Sequence, residues 1–389
     1  MAAVVLAEQW QRRAAVLGRR YIYSRGTMSA GTGSATSRIH VLGAGAVGLL
    51  FAAHLRQAGH PITLLLRSQA AVDRFERQGS RISVINDWAR AHPSRRLLLQ
   101  PGEDITPCAV GGIQAEDIHT ENDRQGVISK LVVATKAQDT LQAFGRVRMR
   151  LGAQSTVVLL QNGMGVFEAI QREFYTQTDN VPAFIVGTNA HGCLRSCSDE
   201  FVTRHTAMGS CTFATRPAPA ACGAPDSALE LVTALTELPL DVAVVNWSDL
   251  HMQLLLKLAA NAVINPATAL AGCHNGLLSP CDAPTMPGFM ALACAEIAAI
   301  YARAHPHLHG ELSAHAIEEY VTRIVHVTAQ NRSSMLQDVA SGRPTEVDWI
   351  NGHLVRLAHQ HGVSAPINTA LLALIKLCEA ASEERQSPS

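Results

Sequence analysis

The chain has 389 residues, 47% of them hydrophobic and 16% charged, which excludes an intrinsically disordered chain and gives length for two domains with sizeable cores. Lys plus Arg number 32, as do Asp plus Glu, so no bulk charge attracts nucleic acid or anionic lipid. The nine cysteines, of which Cys193 and Cys197 are the closest pair, form no CxxC and no His/Cys cluster at metal-ligand spacing, which argues against a metal site and for a reducing compartment.

Residues 1–37 carry Arg12, Arg13, Arg19, Arg20 and Arg25 against one acid, Glu8. Arg-rich, Ser-rich and acid-poor is the composition of a mitochondrial transit peptide; a disordered cytosolic extension, or a true start at Met28, fits it too. The expected location is therefore the mitochondrial matrix or the cytoplasm. Globular pattern begins at Arg38. Residues 39–42 read as a strand, Gly43-Ala44-Gly45-Ala46-Val47-Gly48 as a glycine loop opening a helix to about Ala58, and 61–66 as a second strand. That is a βαβ unit. Apolar runs at 131–135, 156–160, 184–188 and 242–245 read as further strands, with helices at 141–151 and 228–238 between some of them. The alternation predicts an α/β fold, a Rossmann-type doubly wound sheet over residues 38–246. Residues 87–130 lack a clear period and read as an insertion or long surface excursion.

After Trp247 the pattern is almost all helical: 248–271, 288–304, 313–339, 346–362 and 366–381. Gly362 suits a helix end and Pro366 a helix start. No apolar run reads as membrane-spanning; the nearest, 289–302, is short and carries Glu296. Residues 247–381 are the expected all-helical domain, followed by a polar tail at 382–389. A cleft between the two domains is the default place for a ligand.

The glycine loop follows a strand and opens a helix, the context a dinucleotide fingerprint requires. Gly43 allows the tight turn, Gly45 lets the backbone approach a pyrophosphate, and Gly48 permits close packing, while N–H groups at the helix start hold the phosphates. The second strand ends in Leu64-Leu65-Leu66-Arg67-Ser68 with no acid nearby to accept from ribose hydroxyls. Arg67 would instead pair with a 2′-phosphate, which points to NADPH rather than NADH.

Lys257, Asn261 and Asn265 recur every four residues and share one helix face. A solvated face is the bland alternative, yet Asn is a poor helix former and no acid along the stripe pairs with Lys257. A ligand needing donors and acceptors accounts for it better. Ser333-Ser334-Met335-Leu336-Gln337-Asp338 reads as the end of one long helix, and Thr345-Glu346-Val347-Asp348 as the start of the next, with Thr345 as cap and early acids. Capping does not account for both serines or for Glu346.

Together these segments resemble the ketopantoate reductase family from about Arg38 to about Lys376. The motifs are residues 43–48, Ala134-Thr135-Lys136-Ala137, Gln161-Asn162-Gly163-Met164-Gly165, Lys257-x3-Asn261-x3-Asn265-Pro266, Asn275-Gly276, the serine block at 333–338, and 345–352. The resemblance implies NADPH-dependent reduction of 2-dehydropantoate to pantoate, a step of pantothenate and coenzyme A biosynthesis. It implies Lys257 as proton donor, with partial burial bringing the group below its usual ~10.4. Asn261, Asn265, Asn275 and Ser334 correspond to substrate-binding positions, and Glu346 to an acid beside the catalytic Lys and the cofactor that orients rather than transfers protons. Lys136 and Asn162 match cofactor contacts at the carboxyl ends of strands. Residues 187–193 match only loosely, giving Cys193 a backbone contact to cofactor and its thiol no role. The leader and the 87–130 excursion are extra relative to compact bacterial members and suggest a eukaryotic version; 281–287 is also irregular. The implied partner is a small 2-keto acid, and a homodimer fits a helical C-terminal domain. The rivals are a reductase of another branched 2-keto acid and a non-catalytic NADPH sensor, which would have lost Lys257 or the substrate Asn residues.

Overall fold

In the computed structural model, which describes residues 37–88, 108–120, 126–176, 180–196, 200–217, 225–279 and 286–386, the apolar runs of the first half become strands. These are β1 (Ile39–Leu42), β2 (Ile62–Leu66), β3 (Ile82–Ile85), β4 (Cys108–Val110), β5 (Gln114–Asp117), β6 (Lys130–Val133), β7 (Thr156–Leu159), β8 (Ala183–Asn189), β9 (Gly192–Arg195), β10 (Val202–Ala207), β11 (Cys211–Thr215) and β12 (Val242–Val244). Eight form one sheet in the order β12-β11-β8-β7-β6-β1-β2-β5. Every neighbouring pair in it is parallel except β8 with β11. All residues of β1, β2, β6 and β7 are buried, as a parallel sheet covered on both faces requires. The readings of residues 1–36 as a leader, of Cys197, of 89–107 within the excursion and of 281–285 lie outside the described residues.

Helices α1 (Ala46–Gln57), α2 (Gln69–Arg77), α3 (Ala137–Val147), α4 (Val166–Phe174) and α5 (Asp226–Thr236) accompany this sheet. A second sheet, β4-β3-β10-β9, packs on α1 and was not expected from the sequence. Its strands hide their period. In β10 the inward positions are Thr203 and His205, so burial alternates while hydropathy does not. The excursion read as patternless holds β4 and β5, three and four residues long.

From Trp247 onward the chain is helical: α6 (Trp247–Ala271), α7 (Met286–Ala304), α8 (Ala314–Val327), α9 (Ser334–Ala340), α10 (Asn351–Gln360) and α11 (Pro366–Gln386). By length and composition α6 could cross a bilayer, contrary to the sequence expectation, but 67% of its most apolar window is buried within the protein. The helix expected over 313–339 is in fact two. Thr328 Oγ1 turns back to Ile324 O at 2.6 Å, and the turn at Asn275–Leu278 docks through Asn275 N to Asn331 O and Gly276 N to Ala329 O, both 3.0 Å. Ser333 then starts α9, its Oγ accepting from Leu336 N at 3.1 Å and from Thr268 Oγ1 at 2.7 Å. The serine block thus opens a short helix instead of closing a long one. The helix expected from Glu346 begins as a 3₁₀ turn, Val347–Trp349, before α10.

Pro266 sits inside α6 and cannot donate to the carbonyl four residues earlier. That carbonyl, of Ala262, accepts instead from Asn351 Nδ2 at 2.9 Å, and the same amide group reaches Asn368 Oδ1 at 2.9 Å. Asn351 is wholly buried. Replacing Asn351 by Ala strands two buried acceptors, so urea unfolding should show a loss of about 1–3 kcal/mol; an unchanged midpoint would mean that water or a shifted neighbour takes over the bonds.

Candidate active site

The order of the large sheet reverses between β1 and β6, since β1 leads through α1 to one side and β6 through α3 to the other. Ligands of such sheets bind at the carboxyl ends of the strands flanking that reversal. The glycine loop lies there. Gly43 has φ +104°, and a Cβ on it would lie 2.5 Å from Thr135 N. A Cβ on Gly48 would lie 1.9 Å from Gly43 O, whereas one on Gly45 would meet nothing within 4 Å. Two glycines are therefore demanded by the protein and the third leaves open space in front of a helix. Gly45 is the N-cap of α1 and makes no side-chain cap bond. The first helical bond runs from Leu49 N to Gly45 O at 2.9 Å, so the N–H groups of Ala46, Val47 and Gly48 lack an intrahelical acceptor and sit at the positive helix end. This cradle fits a pyrophosphate.

Arg67 is exposed just past β2, and Ser68 Oγ accepts from Ala71 N as the N-cap of α2. Contrary to the expectation of no acid nearby, one does reach the end of β2. In register Asp117 of β5 lies opposite Leu66, although its Oδ1 accepts from His119 N at 2.9 Å in its own turn. Glu200 takes two bonds from Arg74, at 2.6 and 3.3 Å. Its carboxyl is held below the usual range, first by that hydrogen bond and then by the charges of Arg74, Arg195 and Arg67. Three arginines thus surround one carboxylate and leave a net positive patch beside the end of β2.

The carboxyl ends of β6 and β7 meet the helical half through one buried acid. Glu346, 7% exposed, accepts from Ala137 N at the start of α3 and from Asn162 Nδ2, each at 3.1 Å. Beside it Lys136 Nζ pairs with Asp338 and Gln138 Nε2 donates to Pro344 O at 3.1 Å. A Cβ on Gly163 would lie 2.3 Å from Trp349 O, which also accepts from Met164 N at 3.0 Å. Close approach at Gly163 therefore seats the loop after β7 on the turn at Val347–Trp349. Gln161 braces the same loop, its Nε2 donating to Val133 O at 2.9 Å and Thr135 O at 3.3 Å.

Lys257 projects from α6 to the end of β8, donating to Asn189 O at 2.8 Å and Thr188 Oγ1 at 3.1 Å. Its pKa is lowered to about 8, because burial penalises the ammonium more than the negative charge of Glu346 favours it. One turn further Asn261 is half-buried, and Asn265 beyond it is buried, so the stripe faces inward and is not a solvated face. Asn275 is buried, its Nδ2 donating to Thr328 Oγ1 at 2.9 Å while Oδ1 has no partner among the described residues. Ser334 is exposed in the first turn of α9; Ser333 beside it is the buried capping residue. Cys193 lies on β9 with its thiol pushed up to about 12 by burial, hence protonated and unreactive.

The structure joins Lys136, Asn162 and Glu346 along one seam and places Lys257 within reach of the Glu346 charge. Among the described residues, no hydrogen bond ties Asn261, Asn275 or Ser334 to Lys257. Thr188, Asn189 and Asp338 were not anticipated. The first two lie in the loosely matching stretch, and Asp338 closes the serine block that Ser334 belongs to.

A dinucleotide cradle at the switch point of a doubly wound sheet, faced by a helical part that offers an acidified ammonium, defines a dinucleotide-dependent oxidoreductase of two-part build. Comparison with known proteins narrows this. Residues 39–218 match the family described as "Ketopantoate reductase PanE/ApbA" and residues 249–379 its C-terminal counterpart. A protein of Escherichia coli O157:H7 named 2-dehydropantoate 2-reductase is 31% identical over 350 residues, covering 89% of this chain and 96% of its own. The crystal structure of 2-dehydropantoate 2-reductase from Methylococcus capsulatus shares the fold with a TM-score of 0.64 at 22% identity, covering 91% of this chain and 99% of that one. So does D-mandelate dehydrogenase in complex with NADH and anilino(oxo)acetate, with a TM-score of 0.66 at 17% identity over 89% and 99%. The chain belongs to the ketopantoate reductase family, and it is an oxidoreductase acting on CH–OH groups.

The glycine geometry separates folding from binding. Gly45→Ala meets open space and should leave thermal stability unchanged while weakening binding of the reduced nicotinamide dinucleotide, followed by nucleotide fluorescence, about tenfold or more. Gly48→Ala collides with Gly43 O and should lower the melting temperature itself. Equal effects of the two on stability would contradict this assignment of roles.

Proposed function

We propose that this protein reduces 2-dehydropantoate (ketopantoate) to (R)-pantoate with NADPH, within pantothenate and coenzyme A biosynthesis. The observation that carries the reading is the placement of Lys257, whose ammonium leaves α6 to donate to Asn189 O at 2.8 Å and Thr188 Oγ1 at 3.1 Å at the end of β8, where burial lowers its pKa and Glu346 opposes the fall. The family relationship supports the substrate, and the arginine patch at the end of β2 supports the 2′-phosphate. NADPH, when bound along the glycine loop, supplies the hydride.

The residues of the chain do the rest. An ammonium has three donors. Two of those on Lys257 are engaged by Thr188 Oγ1 and Asn189 O, and the third is left for the keto oxygen, to which Lys257 gives its proton as charge develops there. A pKa near 8 keeps the group protonated at neutral pH yet makes it a better acid than a solvated lysine. Asn261, Asn265, Asn275 and Ser334 hold the substrate carboxylate and hydroxyl; the unpartnered Oδ1 of Asn275 is suited to a hydroxyl. Glu346 orients Asn162 and raises the affinity of Lys257 for its proton. Arg67, Lys136, Asn162 and the backbone of the glycine loop and of Cys193 hold the cofactor.

Following NADPH oxidation with ketopantoate, beside a panel of other 2-keto acids, tests the reading. Lys257→Ala should lower kcat about 10²–10⁴-fold with NADPH binding retained. Since Lys257 must be protonated to act, kcat/KM should be level below pH about 8 and fall as pH rises through it. Tight NADPH binding without turnover on any keto acid would favour the sensor reading; turnover confined to another acid would reassign the substrate.

The cofactor preference has its own test. Arg67→Ala should raise KM for NADPH about tenfold or more and leave KM for NADH little changed. A wild-type preference for NADH would overturn the choice of NADPH.

A further inference from the structure

Behind the carbonyl that receives Lys257, two buried histidines form a tie to which the proposed chemistry gives no part. β8 ends at Asn189 and β9 opens at Gly192, so the chain reverses over Ala190 and His191. This turn is held at its backbone. Asn189 Oδ1 accepts from His191 N at 3.0 Å, and Ala190 N donates to Ser210 O at 2.9 Å. A Cβ on Gly209 would lie 2.3 Å from Ala190 O, so the segment before β11 presses directly on the turn.

The partners of His191 assign the protonation of its ring. His191 and His205 are 7% and 2% exposed. Gly209 N lies 3.1 Å from His191 Nδ1 and can only donate, so Nδ1 carries the lone pair. Nε2 then bears the proton, and it faces Leu240 O, a pure acceptor, at 2.9 Å. The Nε2 of His205, 3.0 Å from the same Nδ1, must carry its own hydrogen. Burial lowers both histidines, His205 to about 4, so the pair is neutral near pH 7. A satisfied polar pair in the core would need no more explanation. Here, however, one ring gathers the turn after β8, the segment before β11 and the segment before β12, and the first presents Asn189 O 2.8 Å from Lys257 Nζ.

We propose that His191 is a positioning residue whose Nδ1 acceptor, clamped by Gly209 and His205, fixes the turn after β8 and so aims the Asn189 carbonyl at Lys257. The inference rests on the reading of Lys257 as proton donor. That carbonyl favours the charged ammonium and works against the burial that discharges it. The clamp therefore sets how acidic the donor is.

Two substitutions divide the functions of the ring. His191→Asn places an acceptor where Nδ1 stood and loses the bond to Leu240; His191→Gln keeps a donor where Nε2 stood and loses the acceptor. The full-length enzyme is assayed for kcat/KM against pH, with NADPH binding and thermal unfolding as checks that each variant is folded. The basic limb of His191→Asn should stay within about 0.3 pH units of wild type, and that of His191→Gln should move down by about one unit, a several-fold loss above pH 8. His205→Leu, which removes the second donor to Nδ1, should shift the limb the same way and serves if His191→Gln folds poorly. A wild-type limb that neither class of variant moves, or that Asn and Gln move equally, overturns the positioning role alone. A wild-type profile without the limb overturns the proton-donor reading and takes this inference with it.

Discussion

An ammonium removed from water loses hydration that only fixed acceptors and an opposing charge can replace. At Lys257 the replacement is partial. Burial wins and brings the group to about 8, while Glu346 limits the fall and two oxygens at the end of β8 take two of its hydrogens. The ammonium belongs to α6, the oxygens to β8, and the carboxylate to the segment before α10. That balance exists only where the strand ends and the helices meet, so the docking of the two halves is itself part of the acid chemistry.

Glu346 carries much of this. One oxygen caps the start of α3 through Ala137 N and the other holds Asn162. The acid that steadies Lys257 is thus the one that registers the loops after β6 and β7. A carboxylate only 7% exposed is costly unless its lone pairs are engaged and a positive charge is near. Both conditions hold here, and removing either partner would expose the cost. Behind this seam the helical half supplies rigidity by equally specific means. Asn351 satisfies the carbonyl that Pro266 frees, and Ser333 both caps α9 and bonds Thr268 of α6.

The parts of this architecture legible in the sequence are those whose physics is local. The buried strands of the large sheet are continuous apolar runs, and the glycine loop is marked by a turn, a close approach and an open space at three separate positions. The inward Lys257–Asn265 stripe announced itself by residue type. The parts that escaped depend on distant partners. Thr203 and His205 face inward because α1 lies over them, and no hydropathy pattern records that. The break before Ser333 interrupts a periodic run for the sake of the turn at Asn275–Leu278, more than 50 residues away in the chain. The acid at Asp117 comes beside β2 only through pairing with β5. Thr188, Asn189 and His191 sit in a stretch whose composition is unremarkable until β8, β9 and β11 are assembled around it.

The central claim is the acidity of one side chain, and it can be read without turnover. The Cε and Nζ resonances of Lys257, identified by comparison with Lys257→Met and followed by NMR against pH in the free enzyme, report its pKa directly. The account predicts a midpoint near 8, well separated from the solvent-exposed lysines. A midpoint at the ordinary ~10.4 would show an ammonium that is hydrated and unstrained, and would contradict the account.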